Sequence, residues 1–115
     1  MYLRIETSAA IGAKLLPDTF LLGVDIGTTH CKAGVFGVDG TVVKIASRTM
    51  ITRQAAGGRV YYDPEEFWTT IAATIADAVS LRDATRIAAV GLTSMAETGL
   101  LLDRVSGSPR SELLP

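Results

Sequence analysis

The sequence predicts an α/β domain with a mixed sheet: an antiparallel three-stranded meander followed by a crossover helix and a parallel strand. Two observations carry this prediction. Three apolar or β-branched stretches (20–26, 33–38 and 41–50) are separated only by short turns, and short turns join antiparallel neighbours. An amphipathic pattern then precedes a further apolar stretch at 87–92, which is the strand–helix–strand order of a right-handed crossover.

The three meander strands follow from composition and turn chemistry. Phe20 to Ile26 is nearly continuously apolar, which is typical of a strand buried on both faces. A Gly-Thr-Thr turn separates it from the second strand, Ala33 to Val38. Asp39-Gly40 supplies the next turn because both residues tolerate positive φ. The third strand, Thr41 to Met50, is rich in β-branched residues.

A helix start follows a predicted loop at 51–59 and a short extended piece at 60–62. Asp63 can cap the helix, Pro64 fits its first position, and Glu66 stands where a capping box places its acid. Apolar residues then recur at helical spacing, which predicts a stripe facing the core. The predicted core members are Phe67, Trp68, Ile71, Ala72, Ile75 and Val79.

Composition excludes several classes of function. With 11 basic and 12 acidic residues, the net charge is −1, whereas nucleic-acid binding needs a basic face. The single cysteine, Cys31, excludes an intrachain disulfide, and one Cys with one His cannot form a structural zinc site. No apolar run reaches membrane-spanning length and no signal-type segment is present. We therefore expect no nucleic-acid or membrane partner and a cytoplasmic location.

The turn after the first strand concentrates the candidate chemistry. Gly27 lets an anion approach the backbone, and consecutive turn amides form an anion-binding concavity. Thr28 and Thr29 add hydroxyl donors, while Lys32 brings a positive charge. Asp25 is the kind of ligand that a hydrated Mg²⁺ prefers. The pattern predicts a nucleotide-phosphate loop, although it is neither a Walker A nor a Rossmann sequence.

Each of these residues also has a simpler interpretation. Asp25 could cap the turn, the threonines could be ordinary turn hydroxyls, and Lys32 could be a solvated strand residue. His30 and Cys31 are adjacent on a strand and point to opposite faces, so they do not form a nucleophile–base pair. Cys31 is predicted to be a small buried apolar residue.

Four segments, in this order, resemble the FGGY carbohydrate kinases of the actin/hexokinase/Hsp70 ATPase superfamily. They are Gly23–Thr29 with Lys32, the Asp39-Gly40 turn, Tyr62–Trp68 with its Asp-Pro-Glu-Glu-Phe-Trp helix start, and Val90–Asp103. The resemblance covers residues 20–115, preceded by an N-terminal extension at 1–19. It implies the first part of a ribonuclease-H-like (actin-like ATPase) domain, with a strand, a substrate loop and a further strand over 90–103. The further strand would fall on the apolar stretch at 99–102.

The resemblance implies ATP and Mg²⁺ as cofactors and a sugar or polyol as substrate. Asp25 would orient Mg²⁺ through water, Gly27, Thr28 and Thr29 would hold the β- and γ-phosphates, and Lys32 would contact phosphate. Glu97, followed by Thr98, would accept hydrogen bonds from substrate hydroxyls, as in the glycerol-kinase branch. Met95 and Ala96 replace that branch's Gln-Arg pair, and positions 95–97 also differ from the Gln-Met-His of the xylulokinase branch.

The family's catalytic Asp, expected in a Trp-x-Asp-x-Arg motif, is absent from these 115 residues, and so is the second domain. The resemblance implies that this Asp belongs to sequence beyond Pro115. Phosphoryl transfer needs groups on both sides of the nucleotide. The sequence therefore indicates an N-terminal kinase fragment that is inactive alone.

Two alternatives to the kinase fragment stay open. One is a non-catalytic piece acting in binding or assembly, which could self-associate through an uncovered sheet edge. The other is another ATPase of the same superfamily, because an Asp-x-Gly-Thr-Thr turn occurs beyond the sugar kinases. The Asp-Pro-Glu-Glu-Phe-Trp helix start favours the sugar-kinase branch.

Overall fold

The computed structural model describes residues 18–80 and 84–113. Most of the predicted extension at 1–19 therefore lies outside the described residues. The elements in chain order are β1 Phe20–Ile26, β2 His30–Gly37, β3 Val42–Thr49, β4 Arg53–Gln54, β5 Val60–Tyr61, α1 Pro64–Val79 and β6 Ile87–Ser94, with a 3₁₀ turn at Ala84–Arg86 before β6.

The C-terminal limit of the predicted kinase region also lies outside the described residues. The resemblance extends that region to Pro115 and assigns the catalytic Asp to sequence beyond it, whereas the last described residue is Leu113. The position of the catalytic Asp beyond Pro115 stays a prediction.

A four-stranded sheet in the order β3-β2-β1-β6 forms the centre of the fold. β1 pairs antiparallel with β2, β2 pairs antiparallel with β3, and β6 returns parallel to β1. The predicted mixed sheet is confirmed. β2 begins at His30, earlier than predicted, because the ladder already pairs Ile26 with Cys31 and leaves a turn of only three residues, 27–29.

The prediction of a loop at 51–59 is wrong in part. β4 and β5 form a two-stranded antiparallel hairpin there. Gly57 and Gly58 have φ values of 85° and 82°, a region that glycine enters without a Cβ clash. These two residues make the tight turn between the short strands, while Val60–Tyr61 confirms the predicted extended piece.

Helix α1 begins as predicted at the Asp63 cap. The Asp63 carboxylate accepts the backbone N–H groups of Glu65 and Glu66 at 2.9 and 3.0 Å, which satisfies two orphan donors of the first turn. The Glu66 carboxylate pairs with Arg53 of β4 instead of completing a capping box. The helix start is therefore tied to the hairpin that precedes it.

Helix α1 packs across β2 and β3 and closes the core on one face of the sheet. Of the predicted stripe, Ile71 is buried, and Phe67, Ile75 and Val79 are partly buried against the core. The prediction that Trp68 belongs to the core is wrong, since 67% of its surface is exposed. Ile71, Thr74 and Ala78 centre the buried side of the helix, which leaves Trp68 at its flank.

The predicted strand at 99–102 is not formed. Leu102 makes only an isolated bridge to Pro109, because a tight turn folds the segment back on itself. The Asp103 carboxylate accepts the N–H groups of Val105 and Ser106 in that turn, at 3.0 and 2.8 Å. Beyond the turn, Leu113 pairs with Tyr62 through two backbone hydrogen bonds.

The sheet face opposite α1 is not covered by residues 18–80 or 84–113. Three glycines lie there in register on neighbouring strands, with Gly34 and Gly91 each beside Gly23. The Phe36 ring lies over Gly23 and Gly34, and a Cβ added to Gly34 would come within 2.8 Å of it. The result is a groove of about 490 Å³ with Asp25 among its lining residues. None of the helices described here combines the length and apolar character needed to cross a membrane.

Candidate phosphate-binding site

The turn between β1 and β2, residues Gly27–Thr29, is the centre of the candidate site and is called the phosphate turn below. The Gly27 N–H donates to the His30 carbonyl at 2.9 Å. A Cβ added to Gly27 would lie 3.1 Å from that carbonyl oxygen, so glycine allows the turn to close this tightly. Thr28 and Thr29 are exposed at its tip, where their hydroxyls can donate to an anion.

Two hydrogen bonds from elsewhere in the chain fasten the phosphate turn. The Tyr62 hydroxyl donates to the Thr28 carbonyl, and the Met50 N–H donates to the Thr29 carbonyl, both at 2.8 Å. Tyr62 and Met50 are themselves buried, with 2% and 5% of their surfaces exposed. The two carbonyls are therefore directed toward the protein, and their negative ends are kept away from an approaching anion.

Asp25 and Lys32 face each other at the base of the turn. They are register partners across the β1–β2 ladder, and Thr93 of β6 is the parallel partner of Asp25. All three line the groove. Within the described part of the chain, neither Asp25 nor Lys32 makes a side-chain hydrogen bond or ion pair. Both charges are thus available to a ligand.

The donor set fits Mg²⁺ held jointly with phosphate and water, and it does not fit a metal cage built from protein alone. Among residues 18–80 and 84–113, no three His, Cys, Asp or Glu side chains cluster closely enough to hold a metal ion. Mg²⁺ usually keeps several waters and takes one or two carboxylates plus substrate phosphates. The free carboxylate of Asp25 beside the phosphate turn meets that requirement.

The loop at 95–98 lies at the same end of the sheet as the phosphate turn. The Met95 N–H donates to the Ile26 carbonyl at 2.9 Å, one residue before Gly27. Glu97 is exposed and has a φ of 61°, the only positive φ outside glycine in the described residues. Such a conformation costs about 1–3 kcal/mol and often marks a functional position. Thr98 turns its hydroxyl back to the Ala96 carbonyl at 3.3 Å.

Cys31 is confirmed as a core residue. Its side chain is fully buried while His30 is exposed, so the two do not form a catalytic pair. Burial raises the pKa of the Cys31 thiol, although a side-chain hydrogen bond with Thr74 works in the opposite direction. A thiol held neutral in this way is a poor nucleophile.

The family model "FGGY family of carbohydrate kinases, N-terminal domain" matches residues 20–109. The chain belongs to the FGGY carbohydrate kinases. A glycerol kinase from Burkholderia cenocepacia (strain HI2424) is 36% identical over 96 residues, which is 82% of this chain and 19% of the relative. The family match and this likeness exclude the alternative of an ATPase from another branch of the superfamily.

Solved FGGY kinases share the fold. A gluconate kinase from Lactobacillus acidophilus superposes with a TM-score of 0.73 at 22% identity, over 84% of this chain and 19% of that one. Glycerol kinase from Plasmodium falciparum with ADP gives a TM-score of 0.70 at 18% identity, over 84% of this chain and 20% of that one. These likenesses confirm the actin-like ATPase fold. The chain spans about a fifth of the length of these FGGY kinases.

Sequence reasoning found the exposed residues of the site but missed the buried ones that fasten it. The structure brings Asp25, Lys32 and the phosphate turn together and places the loop at 95–98 beside them. It also adds Tyr62 and Met50 as partners of the turn carbonyls. The one available signal for Tyr62 was an aromatic residue directly before the Asp63 cap, and nothing in the local pattern marked Met50.

Proposed function

We propose that this chain is the phosphate-binding part of a kinase that transfers the γ-phosphate of ATP to a hydroxyl of a sugar or polyol. The observation that carries the proposal is an exposed, tightly closed Gly-Thr-Thr turn with two opposite charges, Asp25 and Lys32, at its base. Neither charge is paired with a side chain of the described residues. Turn amides, hydroxyls and a lysine bind the phosphates, and the carboxylate serves the accompanying cation.

Each residue has a defined task in this proposal. The amides and hydroxyls of Gly27, Thr28 and Thr29 donate to the β- and γ-phosphate oxygens. Lys32 supplies a compact positive charge to the same oxygens. Asp25 accepts hydrogen bonds from water at the cation site. Mg²⁺, when bound, would neutralise charge on the β- and γ-phosphates.

Glu97 is the proposed substrate contact, and Thr98 lies beside it. An ionised carboxylate accepts hydrogen bonds from two neighbouring hydroxyls, a pattern that vicinal diols of sugars and polyols offer. The names of the relatives (glycerol kinase, gluconate kinase) support this substrate class. The Met95-Ala96 pair leaves Glu97 without the polar neighbours of the glycerol-kinase branch, so we assign the class and not one substrate. A metabolic kinase that uses ATP would work in the cytoplasm.

We expect these 115 residues to bind nucleotide phosphates without turnover. They contain no Trp-x-Asp-x-Arg motif to take the hydroxyl proton, and only one side of the nucleotide is provided for. The test is ADP release with glycerol, xylulose and gluconate as acceptors, alongside MgADP binding by calorimetry. We expect MgADP binding that Asp25→Asn weakens about tenfold, and no acceptor-dependent ADP release. Robust turnover would overturn the expected inactivity, and absent binding would overturn the phosphate site.

Self-association through β6 is a second candidate function, favoured by the contrast between the two sheet edges. β6 lies at one edge and carries no charged residue, and seven of its eight residues are exposed, with 60% of Val90 and 67% of Leu92 accessible. β3, at the other edge, carries Lys44 and Arg48, and edge charges discourage strand addition. An isologous β6–β6 pairing brings no like charges together.

Sedimentation of the 115-residue chain tests this second candidate. We expect a dimer that Val90→Lys converts to monomer, because the new lysine protects the edge without disturbing a buried residue. Lys44→Arg at the β3 edge is the control and should leave the dimer intact. A monomeric wild-type chain at high micromolar concentration would exclude the assembly role.

A further inference from the structure

Tyr62 joins three parts of the molecule that lie far apart in sequence. Its side chain is among the largest fully buried ones, and its ring contacts Phe67 edge-to-face with centroids 5.5 Å apart. Its backbone pairs with Leu113 in both directions, at 2.8 and 3.2 Å. Its hydroxyl, 34 residues from the phosphate turn, donates to the Thr28 carbonyl at 2.8 Å. Burial, the Phe67 contact and the backbone pairing with Leu113 therefore hold the Tyr62 ring in place, independently of its hydroxyl contact with the turn.

The hydroxyl contact decides the orientation of one peptide unit. A trans peptide is planar, with its C=O and N–H pointing in opposite directions. Since the Thr28 carbonyl points inward to Tyr62, the N–H of Thr29 points outward. No partner within the described residues is recorded for the Thr29 amide. Rotation of this peptide would present a carbonyl oxygen to an anion instead of a donor.

We propose that Tyr62 is a positioning residue for phosphate binding, holding the Thr28–Thr29 peptide so that its amide faces the nucleotide. The inference rests on the proposed phosphate site and adds to it a buried residue that never touches the ligand. The Met50 N–H fixes the next carbonyl of the turn in the same way. Of the two contacts, only the one from Tyr62 comes from a side chain and can be removed by a single-atom change.

A purely structural role for Tyr62 predicts a different pattern. Any buried hydroxyl needs a hydrogen-bond partner. If the role of Tyr62 is only structural, removing its hydroxyl lowers the stability of the chain and leaves its affinity for the ligand unchanged. A positioning role changes the affinity for phosphate at temperatures where the variant is fully folded. Tyr62→Phe separates the two because it keeps the ring, and with it the Phe67 contact, while removing only the donor.

The experiment compares wild type, Tyr62→Phe and Tyr61→Phe as 115-residue chains. Tyr61 is the matched control, one residue away and without a recorded hydroxyl hydrogen bond in the described chain. MgADP dissociation constants are measured by calorimetry well below each melting temperature. The ¹³C resonance of the Thr28 carbonyl is measured by NMR without ligand, and it reports the hydrogen bond directly.

We expect Tyr62→Phe to weaken MgADP binding about threefold to tenfold, the range of one lost hydrogen bond, and to move the Thr28 carbonyl resonance upfield. Tyr61→Phe should change binding less than twofold and leave the resonance in place. Unchanged affinity in a folded Tyr62→Phe chain overturns the positioning role. A Thr28 resonance that does not move in Tyr62→Phe also overturns the positioning role, whether or not the wild-type chain binds MgADP. If the wild-type chain binds no MgADP, the proposed function is overturned separately.

Discussion

The phosphate turn and the loop at 95–98 lie at the same end of one sheet, yet they are built very differently. The turn is closed by its own Gly27–His30 hydrogen bond and fastened by the buried residues Tyr62 and Met50. Within the described residues, the loop is joined to β1 by one backbone hydrogen bond, from the Met95 N–H to the Ile26 carbonyl. Its proposed contact residue, Glu97, is exposed and has a left-handed backbone conformation.

Under the proposed function, this difference indicates which half of a two-substrate site the chain builds by itself. Anion binding depends on backbone groups held in place before the ligand arrives. The turn between β1 and β2 supplies these groups, and Met50 after β3 and Tyr62 before α1 hold them in place. Polyol binding needs several polar side chains converging on hydroxyls, and the loop offers Glu97 with one neighbouring threonine. We therefore expect the phosphate side to work in the isolated chain and the substrate side not to.

The largest expected contrast comes from truncating one residue on each side. Tyr62→Ala removes a buried ring and the hydrogen bond to the turn, and should lower the free energy of unfolding by about 3–5 kcal/mol. Glu97→Ala removes an exposed side chain and should change it by less than about 0.5 kcal/mol. Urea titration followed by circular dichroism measures both. Equal effects would erase the distinction between a fastened turn and a loose loop.

A smaller contrast comes from adding one methyl group to a glycine on each side. Gly27→Ala places its Cβ about 3.1 Å from the His30 carbonyl, and we expect a loss of about 1 kcal/mol as the turn opens. Gly99→Ala meets nothing within 4 Å and has no positive φ, so its effect should stay within about 0.5 kcal/mol. The same urea titrations measure both changes in the free energy of unfolding. A Gly27→Ala chain as stable as the wild type would show that the turn is not tightly closed.

The smallest effect concerns pH and the turn that follows the loop. Backbone hydrogen bonds from Ser106 and Val105, together with Arg110, hold the pKa of the Asp103 carboxyl well below its ordinary value of 3.8. A depressed pKa stabilises the folded state above the unfolded pKa, and this contribution fades as pH falls below about 4. Because the carboxylate is solvent-accessible, screening keeps the effect modest.

Asp103→Asn should therefore destabilise the chain slightly at pH 6 and flatten the loss of stability between pH 4 and pH 2. Thermal melts across that range measure it. Asp39 is the control, because hydrogen bonds from Thr41 lower its pKa as well. Asp39→Asn should flatten the stability curve over the same pH range. Unlike Asp103→Asn, it should leave the NMR amide resonances of Val105 and Ser106 unchanged. The account is contradicted if the wild-type chain keeps its full stability as the pH is lowered from 4 to 2.

The sequence was sufficient for the elements whose signals are local. The run from Phe20 to Ile26, the Asp39-Gly40 turn and the Asp63-Pro64 helix start each depend on neighbouring residues, and all three form where predicted. β2 begins earlier than predicted because pairing with β1 extends the strand into residues with no local strand signal. The strands of the Gly57-Gly58 hairpin have only two residues each, too few to produce a strand pattern in the sequence.

The failures involve contacts between distant residues. Trp68 fits a helical stripe in sequence, but contact with the sheet centres the buried side of α1 on Ile71 and Ala78 and leaves Trp68 exposed. The segment at 99–102 is apolar enough for a strand and lacks a ladder partner in the described chain. Tyr62 reaches Thr28 across 34 residues, and no periodicity encodes such a contact. Exposed site residues have motif signals, whereas their buried supports do not.

An NMR titration of the isotopically labelled 115-residue chain tests the central claim most directly, adding MgADP first and glycerol second. We expect MgADP to shift the amide resonances of Gly27, Thr28 and Thr29, and millimolar glycerol to leave those of Ala96, Glu97 and Thr98 unchanged. Glycerol shifts at Glu97 without any MgADP shifts at the phosphate turn would contradict the account, because the loosely held side would then be the one that binds.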